Sequence, residues 1–332
     1  MSDLALQVDD LVVEITRDAE KFRAVDGVSL SVERGMSIGL VGESGCGKSL
    51  TLRAVMGLLP DRATASSGRV AAVGAEMPLA GKGAAAARRG RLGMIFQDPG
   101  TALDPVMTCG YQIAEAPRRV LGMSRAQANA RALELLRLVG IPDAERRMRS
   151  YPHELSGGTR QRVMIAIALS SEPKVLLCDE PTTALDVTIQ AQILRLLVDL
   201  QEEMGLAIVF VTHELALVGE LCRDVRVMYA GRLVETGPTA GVLARPLHPY
   251  TIGLLGSAVD LDVDVSAPVP IPGSLPDPLK RPHGCAFHPR CFLAHPDCAT
   301  ADVSLVPAGD GRTSACLYVD ELMTTGSEAH AG

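Results

Sequence analysis

The sequence predicts an α/β fold in which buried strands end in glycine- or carboxylate-bearing loops, and three stretches predict it. Met36-Ser37-Ile38-Gly39-Leu40-Val41 is a short apolar run. It leads through Gly42-Glu43-Ser44-Gly45-Cys46-Gly47-Lys48-Ser49 into Leu50-Thr51-Leu52-Arg53-Ala54-Val55-Met56, the order strand, glycine loop, helix. Val175-Leu176-Leu177-Cys178 is a second run and ends in Asp179-Glu180-Pro181; Ala207-Ile208-Val209-Phe210-Val211 is a third and ends at Thr212-His213-Glu214. Unbroken apolar runs of this length are expected of strands buried on both faces, as in parallel sheets.

Composition narrows the class. The 332 residues suit one large domain or two, and a hydrophobic fraction of 47% is ample for a core. With no Trp and 3% aromatics, that core is built from aliphatic side chains. A net charge of −7 argues against a nucleic-acid binder, which needs clustered Lys and Arg. No run of 18 apolar residues occurs, and Met1-Ser2-Asp3-Leu4 lacks the basic-then-apolar order of a signal peptide. These features predict a cytosolic protein whose eight cysteines are reduced thiols or metal ligands rather than disulfides.

From the N-terminus, apolar residues at Leu4, Leu6, Val8, Leu11, Val13 and Ile15 recur at about period 2 and predict one or two strands. Arg17 to Lys21 reads as a turn, and Asp26-Gly27 as another. Val28, Leu30 and Val32 alternate with Ser29 and Ser31, a half-buried strand. The opening is thus an antiparallel β layer ahead of the α/β core. Phe22 has two readings, a ring to stack on a base or an ordinary packing residue.

The glycine loop fits G-x-x-x-x-G-K-[ST]. Phosphate oxygens are met by many short donors, and backbone N–H groups serve where no side chain blocks them. Gly42, Gly45 and Gly47 clear that space and allow φ > 0, while Glu43, Ser44 and Cys46 contribute backbone. Lys48 reaches the terminal phosphates, the Ser49 hydroxyl ligates Mg²⁺, and Leu50 continues the helix whose N-terminus favours anions.

Ser66 to Gly90 reads as a loop with short strands, and Arg88, Arg89 and Arg91 as a solvated basic face. Leu92 to Phe96 is a strand ending at Gln97, whose amide can serve Mg²⁺ or water; Asp98-Pro99-Gly100 breaks it. Ser124 with Gln127 forms a capping box for a helix that stops at Gly140, within a helical stretch from Arg118 to Ser150. Leu155-Ser156-Gly157-Gly158-Thr159-Arg160-Gln161-Arg162 opens another helix with Ser156 as N-cap, a second terminus ready for an anion. Asp179 at its strand tip can hold Mg²⁺ through water, and Glu180 can polarise an attacking water. After Ala184-Leu185-Asp186, Thr188 is expected to cap a helix running to Met204, with Gly205 as its stop. His213 ends a parallel strand at the edge where such sheets bind ligands. Val225–Tyr229 and Arg232–Glu235 form a hairpin.

These pieces, in this order from Leu4 to Ser257, resemble the ATP-binding subunit of an ABC transporter. The resemblance implies a P-loop NTPase (ABC ATPase) core with an antiparallel β subdomain and a helical insertion. It identifies Gly42–Ser49 as the Walker A loop and Gln97 as the Q-loop glutamine. Leu155, Ser156, Gly157 and Gly158 become the signature, with Thr159 where Gln is commonest. Asp179 becomes the Walker B aspartate, Glu180 the catalytic glutamate, Asp186 the D-loop residue and His213 the switch histidine. It implies ATP and Mg²⁺ as ligands, the metal held by Ser49, Gln97 and Asp179. It also implies head-to-tail pairing, so that signature and D-loop act on the partner's nucleotide. Phe22-Arg23-Ala24-Val25-Asp26, Phe96-Gln97-Asp98-Pro99, Ala184-Leu185-Asp186-Val187-Thr188, His248-Pro249-Tyr250-Thr251, Gly284-Cys285 and Pro289-Arg290-Cys291 resemble the dipeptide/oligopeptide (and nickel) importer subfamily. That subfamily implies a second, paralogous ATPase, two permeases, a substrate-binding protein, and a place on the cytoplasmic face of the inner membrane. Peptide is the favoured cargo; nickel or another small solute, or a soluble ABC ATPase, is the alternative.

After Ser257 the character changes. Ala267-Pro268-Val269-Pro270-Ile271-Pro272 and Pro276-Asp277-Pro278 predict an extended connector. Cys285, Cys291, Cys298 and Cys316 follow with spacing C-x5-C-x6-C-x17-C, half of the chain's cysteines. Such thiols suggest a Cys₄ site, a [4Fe–4S] cluster ahead of Zn²⁺ because the gaps exceed those of zinc knuckles; free thiols or a redox pair are the alternative. His283, His288 and His295 stand by as substitute ligands. The expected division is 1–97 with 171–257 as nucleotide core, 98–170 as helical subdomain and 258–332 as Cys-rich extension.

Overall fold

The structure, a computed structural model, describes residues 3–81, 83–183, 185–257 and 271–328, with side chains through 323. The Ala267–Pro270 part of the expected connector, and Ala184, lie outside the described residues.

Twelve strands are described: β1 Leu4–Arg17, β2 Glu20–Glu33, β3 Ser37–Val41, β4 Ala63–Ala72, β5 Ala75–Met77, β6 Leu92–Ile95, β7 Val175–Asp179, β8 Ala207–Thr212, β9 Asp224–Tyr229, β10 Arg232–Pro238, β11 Val306–Pro307 and β12 Thr313–Ser314. The opening β layer is a four-stranded sheet of order β2-β1-β4-β5. One continuous strand covers Leu4 to Arg17, with Asp10 at φ 45, and the turn after it is confined to Asp18 and Ala19 at φ 51 and 70. Two positive φ values match the right-handed twist of a hairpin.

The chain forms two compact units. The first comprises Met1–Gln7, Ser31–Met36 and Val70–Val211. Here β6, β7 and β8 run parallel, with Leu92 opposite Val175 and Val175 opposite Ala207. All residues of the three strands are buried, as the apolar runs require. Helices Cys109–Arg119, Arg125–Leu138 and Gly157–Leu169 pack on one another. The capping box is made in both directions: Gln127 N–H donates to Ser124 Oγ (3.3 Å) and Ser124 N–H to the Gln127 side chain (2.9 Å).

The second unit comprises Val8–Leu30, Ser37–Arg69 and Thr212–Gly332. In it β3 pairs parallel to β9, Ile38 opposite Asp224, and β9 turns through Ala230-Gly231 into antiparallel β10. β10 then pairs with β12, Glu235 opposite Ser314, and β12 with β11. The C-terminal extension therefore adds two short strands to the sheet that carries the glycine loop.

Four local expectations are corrected. Asp26-Gly27 is not a turn but lies inside β2, where Gly27 takes φ 73 and the Asp26 carboxylate is gripped by Arg23, Arg232 and Arg281. Ser66 to Gly90 holds the expected strands, most of β4 and all of β5, but also a helix, Ala84–Arg88, where only loop was expected. Within it Arg88 is no solvated cation: it is 2% exposed and donates to the Pro78 and Ala84 carbonyls, which only the folded chain sets beside it. The helix expected to be capped by Thr188 is capped by Asp186, whose carboxylate accepts from Ile189 N–H at 2.9 Å, so it spans Val187–Met204. An Asp two residues earlier satisfies the same orphan donors as well as a Thr does. Gly205 ends that helix at φ 61 as expected.

Candidate nucleotide site and cysteine-lined cavity

The expected site residues fall into two groups, one in each unit. In the second unit, Gly42 to Ser49 join β3 to the helix Lys48–Met56. Gly42 and Gly47 stand at φ 152 and 113, and a Cβ on them would lie 2.2 Å from Met228 O and 2.7 Å from Ala24 O. Only glycine fits both the angle and the space. Lys48 is buried and donates to the carbonyls of Gly42 (2.6 Å) and Glu43 (3.1 Å), so its ammonium lies across the loop. Cys46 is buried, and burial raises its thiol pKa, so it is an inert packing group. Ser44 and Gly45 are exposed; Ser49 and Leu50 are half-buried. His213 is exposed just beyond β8, its Nε2 3.8 Å from Glu214. Phe22 is half-buried, with the Arg17 guanidinium 5.7 Å above its ring, so that face is already covered.

In the first unit, Asp179 and Glu180 are buried at the end of β7, at 1% and 7% exposure. Glu180 adopts φ 46 directly before Pro181, a conformation unfavourable for a non-glycine residue and doubly so ahead of proline. Its N–H donates to Val211 O at 3.0 Å, which holds the kink. The kink brings its carboxylate to Gln97, whose side-chain amide donates at 3.2 Å, and to Thr183, whose hydroxyl donates at 3.0 Å. The structure thus assembles Gln97 with Glu180. Leu155 is buried, Ser156 and Gly157 are exposed, and Ser156 Oγ accepts from Thr159 N–H at 3.3 Å at the start of the helix Gly157–Leu169. Asp186 is exposed and committed to its cap.

The extension closes around a cavity. Cys285, Cys291, Cys298 and Cys316 all line it, with His248, His288 and Phe287, and it holds about 20 Å³. Cys285 N–H donates to Cys298 O at 2.8 Å, tying two of the four cysteine-bearing segments together. Burial raises the Cys285, Cys291 and Cys316 thiols, the last to about 11, so they stay protonated. Among the described residues no three His, Cys, Asp or Glu side chains stand as a ready metal-ligand group. The expected cysteines are therefore brought to one cavity without forming a closed ligand set. His283 and His295 are not among the lining residues, and His295 stacks on Tyr318 at 3.9 Å.

Three contributors escaped the sequence reading. Tyr250 OH accepts from Glu43 N–H at 2.7 Å, Arg290 grips the Glu43 carboxylate, and Thr183 holds Glu180. Tyr250 and Arg290 belong to stretches noted only as family motifs; no spacing links them to residue 43.

The family model for ABC transporters matches residues 25–183, and that for the oligopeptide/dipeptide transporter C-terminal region matches 234–298. The probable peptide ABC transporter ATP-binding protein y4tR of Sinorhizobium fredii is 46% identical over 325 residues, covering 97% of each chain. The dipeptide transport ATP-binding protein DppD of Escherichia coli is 44% identical, covering 94% of this chain and 96% of that one. Among solved structures, cbiO1 from Clostridium perfringens, part of the ABC transporter complex cbiONQ, superposes with a TM-score of 0.63 at 30% identity, over 73% of this chain and 92% of that one. The ATP-binding cassette MJ0796, in a dimeric post-hydrolysis state bound to ADP and Pi, gives 0.62 at 26% identity, over 70% and 98%. A glycine loop between a buried strand and a helix, two adjacent buried carboxylates and near-full-length likeness converge: the chain belongs to the ABC transporter ATPases, in the branch that carries the oligopeptide/dipeptide transporter C-terminal region.

Proposed function

We propose that the chain is the ATP-hydrolysing subunit of an importer that takes up dipeptides or oligopeptides. What carries this reading is likeness over 94% or more of the chain to proteins named for peptide transport, with the C-terminal region included. No described helix is long and apolar enough to cross a membrane. In this reading the chain works on the cytoplasmic face of the membrane, against two permeases, with a paralogous ATPase and an extracytoplasmic substrate-binding protein. The functional division is a nucleotide core (1–97, 171–257), a helical subdomain (98–170) and the extension (258–332).

The loop Gly42–Ser49 cradles the ATP phosphates, and Lys48 leaves the Gly42 and Glu43 carbonyls for the terminal ones. Ser49, Gln97 and Asp179 are the residues that would serve Mg²⁺, which would supply charge neutralisation at the phosphates. Glu180 orients the attacking water and His213 meets the γ-phosphate. Leu155, Ser156, Gly157, Gly158 and Asp186 serve the nucleotide of the second subunit. Phosphoryl transfer needs positioning and charge stabilisation more than covalent chemistry, and these residue types supply both. Copurification with two permeases, and ATP turnover that rises when a peptide-loaded binding protein is added, are the expected results. Turnover indifferent to peptide, or rising instead with nickel, would move the cargo elsewhere.

The finer proposal concerns the extension: Cys285, Cys291, Cys298 and Cys316 hold a [4Fe–4S] cluster in preference to Zn²⁺. Four thiols on one cavity support it. Because the sulfurs do not yet close on a common point, binding would draw them inward and displace their protons. A bound cluster would supply a covalent brace for loops with little regular structure. Anaerobically purified protein should be brown, absorbing near roughly 400 nm. Colourless protein with stoichiometric zinc would reverse the preference.

A further inference from the structure

Glu43 is an acidic residue on the loop read above as the cradle of the ATP phosphates. A bare carboxylate there would repel a triphosphate, and unlike charges close by are what cancel such a field. The structure supplies the cancelling charge from 247 positions away in the chain. Arg290 meets both oxygens of Glu43, Nη1 to Oε2 at 2.7 Å and Nη2 to Oε1 at 2.9 Å, the fork geometry that fits a carboxylate. The pair is well shielded, with the side chains 6% and 28% exposed.

Arg290 is itself held on every side. Its Nε donates to Pro272 O at 2.7 Å, and its guanidinium lies 5.9 and 6.0 Å from the Tyr229 and Phe287 rings. Tyr229, Tyr250 and Phe287 form one aromatic cluster, with centroids 4.7 to 5.3 Å apart. Tyr250 from that cluster accepts the Glu43 N–H, while Lys48 takes the Glu43 carbonyl. Every polar group of Glu43 is thus assigned: amide to Tyr250, carbonyl to Lys48, carboxylate to Arg290. Phe287 and Arg290 lie between Cys285 and Cys291, so the loop that brings the arginine also lines the cysteine cavity.

We propose that Arg290 is a positioning residue for nucleotide binding, delivered by the C-terminal extension to neutralise Glu43 and hold it away from the phosphates. The extension is then part of the nucleotide site. This rests on reading Gly42–Ser49 as the ATP loop, and the controls separate the two ideas.

The test is ATP affinity and turnover of the full chain. Arg290→Gln should weaken ATP binding by about tenfold while turnover at saturating ATP stays within about twofold, since the chemistry is untouched. Adding Glu43→Gln to that variant should restore most of the affinity, because the bare carboxylate is gone. A merely structural arginine would not be rescued by deleting its partner. Wild-type affinity in Arg290→Gln, or no recovery in the double variant, overturns the proposal. Where Arg290→Gln fails to fold, Arg290→Lys, which lacks the fork, decides: weaker binding that is recovered on adding Glu43→Gln supports it, and wild-type binding or no recovery overturns it. Lys48→Ala is the control for the underlying reading. If it binds ATP as wild type does, the loop itself has been misread, whatever Arg290 does.

Discussion

Glu180 carries backbone strain that nothing in a plain strand-to-loop transition requires. At φ 46 before Pro181, it costs on the order of 1–3 kcal/mol, offset by the Val211 carbonyl, the Gln97 amide and the Thr183 hydroxyl. With it the Glu180 carboxylate meets Gln97 and Thr183. Glu180→Gln should lower ATP turnover by about 10² to 10⁴, the range for losing a general base, while leaving ATP affinity nearly intact. Steady-state ATPase assays beside equilibrium nucleotide binding would show it, and turnover near wild type would remove Glu180 from that role. Asp179 and Glu180 were readable because both sit at the end of an apolar run. Thr183 was not, because a hydroxyl three residues on carries no periodic signal.

At the scale of elements, local signals and distant partners divide the outcome. The helix Arg125–Leu138 is written in its own residues, and Ser124→Ala should cost about 1 kcal/mol in thermal or denaturant unfolding by removing one side of the capping box. Strand β2 is different. Its Asp26-Gly27 pair reads as a turn, yet the strand continues because Arg23, Arg232 and Arg281 converge on the carboxylate. Burial works against ionisation of Asp26, but hydrogen bonds and charge from Arg232, Arg23 and Arg281 outweigh it and hold the carboxyl below its ordinary value. A depressed carboxyl contributes stability that is present above the unfolded value of about 3.9 and is lost as pH falls through the folded one. Asp26→Asn should therefore cost about 1–3 kcal/mol at neutral pH. It should also flatten the acid limb of a stability–pH curve below about pH 4. An unchanged acid limb would mean the arginines are indifferent to that charge.

At the scale of the whole molecule, the extension is joined to the unit that carries the glycine loop at several points. Arg312 pairs with the fully buried Glu235 at 2.8 Å, Arg17 with Asp277 at 3.0 Å, and β12 extends the sheet along β10. Truncation after Ser257 would take Arg312 from the Glu235 carboxylate and leave it the Leu247 N–H, a loss of about 3–5 kcal/mol for a broken buried pair. The truncated chain should unfold at lower temperature and bind ATP more weakly than the full chain; equal stability by calorimetry would make the extension a separate appendage. By itself the sequence determined the strand–glycine loop–helix order, the paired carboxylates, the capped helices and the clustering of cysteines. Each of these is enforced within a few residues by steric freedom, apolar periodicity or an orphan N–H. Only the tertiary structure decided that Arg88 is buried, that Asp26 lies inside a strand, and that Arg290 and Tyr250 clasp Glu43. Those outcomes depend on charges and hydroxyls brought together across long stretches of chain, and no local pattern encodes which distant partner a carboxylate will meet.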